Sequence, residues 1–349
     1  MTTRRPREAT PSLAVPDHEN TMKAIVQDRY GPPSELLELT DIDQPVVEDD
    51  AVLVRVHATS VNPADWHLLR GEPYIARLQV GLRNPKHPVL GCDVAGQVEA
   101  VGSNVTTFQP GDEVFGSPFM RGFGAFAERV VVPEELLAPK PTNLSFEQAA
   151  TVPLAASTAL QGLRDLGQIE AGQRVLIVGA SGGVGTFAVQ IAKALGAEVT
   201  GVCSTRNVDM VRSLGADHVI DYTRDDFTKG EQRYDLILQV AGSSSPSDCR
   251  RALTPKGTLV LISGDSDDRW IGPVDRLIKA RLLSPLVSQT MVNFTVTPNR
   301  EDLESLRGLI EAGNLTPVID RTYSLSEVPE AIGYLEEGHA RGKVAITMP

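Results

Sequence analysis

The sequence predicts an α/β protein in which a β-rich, barrel-like unit precedes a doubly wound parallel sheet. Three observations predict it. Up to about Pro141 the chain shows short β-branched runs broken by turn residues. From Ser145 it alternates apolar strands with amphipathic helices. Those later strands are apolar throughout, so both of their faces must be covered, as in a parallel sheet flanked by helices.

The early runs are Lys23–Gln27, Ala51–Ala58, Val94–Val101, Glu113–Phe115 and Glu128–Val132, separated by turns such as Tyr30-Gly31-Pro32-Pro33 and Gln109-Pro110-Gly111-Asp112. Ser145 then caps a helix-favouring stretch through Leu154–Leu166. Arg174–Val178, Glu198–Val202, His218–Ile220, Leu236–Val240 and Thr258–Ile262 read as strands, with helices over Gly185–Leu195 and Val208–Leu214. Beyond Ser288 the character is mixed again: Met291–Val296 and Lys343–Met348 read as strands and Asp302–Glu311 as a helix. The expected division is a disordered tail over 1–21, one domain over 22–144 and 291–349, and a second over 145–290. Met22, directly before the first strand, is a candidate initiator.

Composition narrows the function. Of 349 residues, 33 Lys and Arg face 45 Asp and Glu, a net charge of −12 that repels phosphate backbones and argues against nucleic acid as a partner. No apolar run reaches the roughly 18 residues of a spanning helix, so no membrane is expected. Three scattered cysteines, Cys92, Cys203 and Cys249, suit a reducing cytoplasm. The tail lacks the apolar stretch of a secretory signal, and its acids argue against a transit peptide.

The strongest chemical signal is Val175-Leu176-Ile177-Val178-Gly179-Ala180-Ser181-Gly182-Gly183-Val184-Gly185. A buried strand runs into a glycine-rich turn that opens a helix, the context of a dinucleotide fingerprint. Registered on its last glycine it reads Ala180-x-Gly182-x-x-Gly185. Gly182 admits a pyrophosphate to the backbone, and Gly185 brings helix against strand. At the end of the next strand an NAD-selective protein carries an acid; here Ser204-Thr205-Arg206-Asn207 has none until Asp209. Ser204 and Arg206 suit a 2′-phosphate, which favours NADP(H), although Arg206 also reads as a solvated surface cation.

Ser60-Val61-Asn62-Pro63-Ala64-Asp65, Gly91-Cys92-Asp93-Val94-Ala95-Gly96, Ala180–Gly185 and Leu214-Gly215-Ala216-Asp217-His218-Val219-Ile220-Asp221-Tyr222 resemble the medium-chain dehydrogenase/reductase superfamily, on its zinc-free quinone oxidoreductase branch. The resemblance implies a GroES-like catalytic domain split around a Rossmann domain. It also implies a homodimer whose sheets pair edge to edge through the strand Thr258–Ile262. Zinc-dependent relatives place a Cys where Asn62 stands, and a His and a Glu where Cys92 and Asp93 stand. No metal site is therefore expected.

By the same resemblance, Asn62 lies near the nicotinamide ribose, Thr158 at the nicotinamide and Tyr222 at the adenosine end. Ser181, Gly183 and Val184 belong to the phosphate turn, and Ala241-Gly242 and Ser263-Gly264 to cofactor loops. Phe294 and Lys343 are late contacts at the cleft. Tyr222 also reads as a strand-end aromatic and Lys343 as a surface cation. Asp65, Trp66, His67 and Tyr74 are the candidates for the substrate side, with His67 or Tyr74 as proton donor; Trp66 also reads as core. Arg83, Lys86 and Arg121 either border the pocket or face solvent.

A site without metal cannot polarise an alcohol, but hydride delivery to an electrophilic acceptor stays accessible. The expected activity is NADPH-dependent reduction of a quinone, or of the C=C bond of an enone or enal. An enoyl-thioester reductase, an alcohol dehydrogenase-like enzyme and a non-catalytic NADPH-binding sensor or scaffold remain as alternatives.

Overall fold

The computed structural model describes residues 21–262 and 288–349, and it places the chain in two sheets with a small strand pair beside them. The expected doubly wound sheet is present. Its six parallel strands run in the order His218–Asp221, Glu198–Cys203, Arg174–Val178, Tyr234–Gln239, Leu253–Leu261, Thr290–Asn293. In chain order that is 3-2-1-4-5-6, so the direction of winding reverses between Arg174–Val178 and Tyr234–Gln239, and a crevice opens there at the strand ends. Leu176 and Ile177 are fully buried. Each contributes roughly 1.5–3 kcal/mol through its removal from water.

The second sheet is mainly antiparallel and is built around the long strand Ala51–Val61, which pairs with Val94–Val101, Arg129–Pro133 and Lys343–Thr347. Lys343–Thr347 returns from the far end of the chain to pair Val344 with Val61. The final strand is thereby set beside the residues that open the Asn62 segment. Ser145 starts its helix as expected, accepting from the Gln148 amide at 3.3 Å while Gln148 Oε1 accepts from Ser145 N at 3.1 Å. Such a cap contributes about 1 kcal/mol.

Two expectations need correction. The boundary at residue 291 falls inside strand Thr290–Asn293, which pairs in parallel with Thr258–Leu261 as the sixth strand of the Rossmann sheet. Met291 is buried there against Leu253, Leu259 and Leu261. In consequence Thr258–Leu261 has neighbours on both sides and offers no free edge to a second molecule. Thr21, assigned to the tail, is the first residue of strand Thr21–Val26; the rest of the tail lies outside the described residues. Among the described residues no helix is long and apolar enough to cross a membrane.

Candidate cofactor and active site

The glycine turn sits at the crevice. After Val178 the chain reverses at Gly179, whose φ of 87° is a left-handed conformation that suits glycine. The left-handed residue thus precedes Ala180, the expected first glycine place; the Ala180 methyl is buried in the core. Helix Gly183–Ala194 follows, with Gly182 as its cap and no side chain capping its leading N–H groups. Its leading N–H groups and partial positive charge are left for an anion. A Cβ on Gly185 would lie 2.0 Å from the Gly179 carbonyl oxygen, so close helix–strand packing demands glycine. A Cβ on Gly182 would meet nothing nearer than 3.6 Å, so the space above it is open. The Ala241-Gly242 loop borders the turn, since a Cβ on Gly179 would come within 2.9 Å of the Ala241 methyl.

The end of strand Glu198–Cys203 closes one side of this cradle. Asn207, which sequence reasoning missed, is buried and donates to Ser181 Oγ at 3.0 Å and to Ser204 Oγ at 3.3 Å. Its own Oδ1 is buried without a partner. Its only sequence signal is its place next to Arg206. Arg206 is exposed, and its guanidinium donates to the His339 carbonyl at 2.9 Å. Arg341 donates to the Arg206 carbonyl at 3.5 Å, so a second cation stands beside it. Tyr222 is 63% exposed, as a ring awaiting a stacking partner or a plain strand-end aromatic would be.

Across from the turn lies a buried polar centre. Asp93 is fully buried and its Oδ2 accepts from Ser60 Oγ at 2.6 Å and from Asn62 Nδ2 at 2.8 Å. Its Oδ1 accepts from Leu154 N at 2.8 Å, in the first turn of the helix Pro153–Gln161 that carries Thr158. A carboxylate there is favoured by the helix dipole. Lys343, one of whose readings was a surface cation, is instead buried. Its Nζ lies 2.5 Å from Asn62 Oδ1, 3.3 Å from the Val61 carbonyl and 3.5 Å from Asp93 Oδ2. Thr158 is also buried and turns its hydroxyl onto the Leu154 carbonyl at 2.7 Å.

The substrate-side candidates separate. Asp65 does not face a cleft: it is fully buried, accepting from Asn62 N at 2.8 Å, Gly91 N at 3.2 Å and Cys92 Sγ at 3.2 Å. Burial raises its carboxyl from the ordinary 3.8 to about 7. It closes the start of helix Pro63–Arg70, a job that Asn62-Pro63-Ala64-Asp65 already signals. His67 stacks on Trp66 at 3.6 Å between ring centroids, with Nδ1 3.1 Å from the Glu72 carbonyl. Tyr74 and Tyr30 both lie under the Arg77 guanidinium, at 4.6 and 4.4 Å. Ser263 and Gly264 lie outside the described residues.

A cleft of about 450 Å³ runs between Phe119–Arg121, Glu135–Leu136 and Thr295–Asn299. Arg121 lines it with a side chain that is 58% exposed and paired to Glu135 at 3.0 Å, which meets both of its readings in part. Its Phe119 and Val296 also belong to an apolar cluster with Cys92 and Leu154, against which Phe294 packs. The cleft is thus connected through packed side chains to both neighbours of Asp93.

The donor set does not fit zinc. Burial pushes the Cys92 thiol well above its usual range, and it bonds to Asp65. Asn62 is neutral, and Asp93 already faces the Lys343 ammonium. Among the described residues no three His, Cys, Asp or Glu side chains gather as metal ligands do. The cradle, in contrast, fits a dinucleotide: an uncapped helix start, open space over Gly182 and the unpartnered Asn207 oxygen converge on one crevice.

Comparison with known proteins agrees on a nicotinamide dinucleotide as the cofactor. Residues 48–142 match the model of the alcohol dehydrogenase GroES-like domain, and residues 214–346 that of the zinc-binding dehydrogenase. The mouse mitochondrial NAD(P)H oxidoreductase RTN4IP1 is 36% identical, covering 94% of this chain and 89% of its own length. The chloroplastic NADPH-dependent alkenal/one oxidoreductase of Arabidopsis thaliana is 34% identical, over 93% of this chain and 79% of its own. The solved quinone oxidoreductase of Coxiella burnetii superposes with a TM-score of 0.83 at 32% identity, covering 94% of this chain and all of that one.

Proposed function

Because this chain belongs to the quinone oxidoreductase branch of the medium-chain dehydrogenase/reductase superfamily, we propose that it reduces quinones, or the activated C=C bond of enals and enones, with NADPH and without zinc. The observation that carries this reading is the placement of the uncapped helix start at Gly182–Gly183 against the buried Asn62–Asp93–Lys343 centre. Gly182 to Gly185 would hold the pyrophosphate, Ser204, Arg206 and Asn207 the 2′-phosphorylated ribose, and Asn62 and Thr158 the nicotinamide end. When bound, the reduced nicotinamide supplies a hydride.

What the residues add is position and exclusion of water. Conjugated acceptors spread the incoming charge onto oxygen, so orientation can supply much of the rate. Asp65 accepts hydrogen bonds on both oxygens from beneath the site and is not a proton donor to substrate in this reading. Water or His67 delivers the proton.

The test is steady-state oxidation of NADPH against NADH, with 9,10-phenanthrenequinone and a 2-alkenal as acceptors. Turnover with either acceptor and a preference for NADPH are expected. No NADPH consumption with either would move the protein to the cofactor-binding class. The reading includes a cytoplasmic homodimer, supported by the lack of any disulfide among Cys92, Cys203 and Cys249 and by the sheet edge that Thr290–Asn293 presents among the described residues. A concentration-independent monomer by light scattering would reject the dimer.

A further inference from the structure

Lys343 touches both halves of the site. Its backbone neighbour Gly342 donates to the Ser181 carbonyl at 2.9 Å, which ties the returning strand to the phosphate turn. Its stem then crosses Gly183 so closely that a Cβ there would lie 2.9 Å from Lys343 Cδ. Its ammonium ends between Asn62 Oδ1 and Asp93 Oδ2. Asn62 cannot hold this place alone, because both of its amide hydrogens already point to Asp93 and to the Ser60 carbonyl. A lysine loses much rotamer freedom on burial, so a side chain only 4% exposed needs its partners.

We propose that Lys343 is a positioning residue for hydride transfer, a strut that fixes the phosphate-binding turn at Gly183 against Asn62 and Asp93 on the opposite side of the site. The absence of a side chain at Gly183 makes room for the strut itself. The proposal rests on the reductase reading, and the wild-type assay tests that reading separately.

The experiment compares wild type, Lys343→Met, and Lys343→Met with Asp93→Asn, following kcat, NADPH affinity by fluorescence titration, and Tm. Lys343→Met strands a buried carboxylate, so a lower Tm is expected from that variant alone. The double variant removes the stranded charge. Without the ammonium, the Asn62 amide can turn its oxygen to the amide introduced at position 93, so Tm recovers. A strut predicts that kcat stays about 10- to 100-fold low in the double variant, as misplacement by about an ångström costs, while NADPH affinity changes far less. Gly183→Ala, which displaces the stem, should lower kcat in the same direction. Recovery of kcat together with Tm in the double variant would make the role merely structural and overturn the proposal. So would a Lys343→Met enzyme with wild-type kcat. A wild type that oxidises no NADPH would instead overturn the reductase reading.

Discussion

The Cys92 thiol lies 3.2 Å from Asp65 Oδ1, and both side chains are sealed from water. The carboxyl, raised by burial to about 7, keeps a proton in the folded protein that the unfolded chain releases near 3.8. Between those values the unfolded state binds fewer protons, so stability falls as pH rises. The contribution is whole below about pH 4 and lost by about pH 7. A rise of that size corresponds to roughly 4 kcal/mol. Urea midpoints of wild type and Asp65→Asn from about pH 4 to 8 should diverge, with wild type losing ground as pH increases. Parallel curves would show that Asp65 does not titrate in this range.

Two glycines of the turn should respond differently to alanine. At Gly185 the new Cβ meets backbone 2.0 Å away, and backbone cannot yield cheaply. Gly185→Ala should therefore lower Tm and abolish NADPH binding together. At Gly182 the nearest atom is 3.6 Å away and φ is −85°, which alanine adopts freely. Gly182→Ala should keep its Tm yet weaken NADPH about tenfold or more, because only the ligand needs that space. Calorimetric Tm paired with fluorescence titration checks both. A Gly182→Ala protein with unchanged affinity would mean that the pyrophosphate lies elsewhere.

The elements most legible in the sequence are those whose signals are local. Arg174–Val178 and Val94–Val101 stand where continuous or β-branched apolar runs put them, and Ser145 caps the helix it introduces. What stays hidden depends on partners far along the chain. Thr290–Asn293 is a four-residue strand whose sheet is chosen by the backbone of Thr258–Leu261, not by its own pattern. Lys343 is buried because Asp93, 250 positions earlier, faces it. Asp65 shows a different failure. Its Asn-Pro-x-Asp spacing is a helix-start signal, but an acid so near expected site residues reads as chemistry.

Metal content follows from the occupied donors. With Asp93 facing an ammonium and Cys92 bonded to Asp65, purified protein should hold far less than one zinc per chain, and a chelator should leave quinone reduction unchanged. Elemental analysis beside the activity assay decides it. Stoichiometric zinc with chelator-sensitive turnover would overturn the metal-free reading.

Cofactor choice should turn on the end of strand Glu198–Cys203. Ser204 shares Asn207 with Ser181, and Arg206 and Arg341 stand together beside it. Replacing Ser204 by Asp sets a carboxylate where ribose hydroxyls of NADH can donate to it, and where a 2′-phosphate is repelled. Hydrogen bonds to charged groups contribute about 1.5–3 kcal/mol, so the NADPH-to-NADH ratio of kcat/KM should fall about 100-fold. Arg206→Ser should weaken NADPH alone, because NADH offers that guanidinium no phosphate to pair with. Both variants lie at the surface end of the strand and should keep the wild-type Tm, so a changed ratio reads recognition and not folding. An unaltered ratio in Ser204→Asp would place the 2′-phosphate away from this strand end, and would leave the two arginines as solvated surface cations.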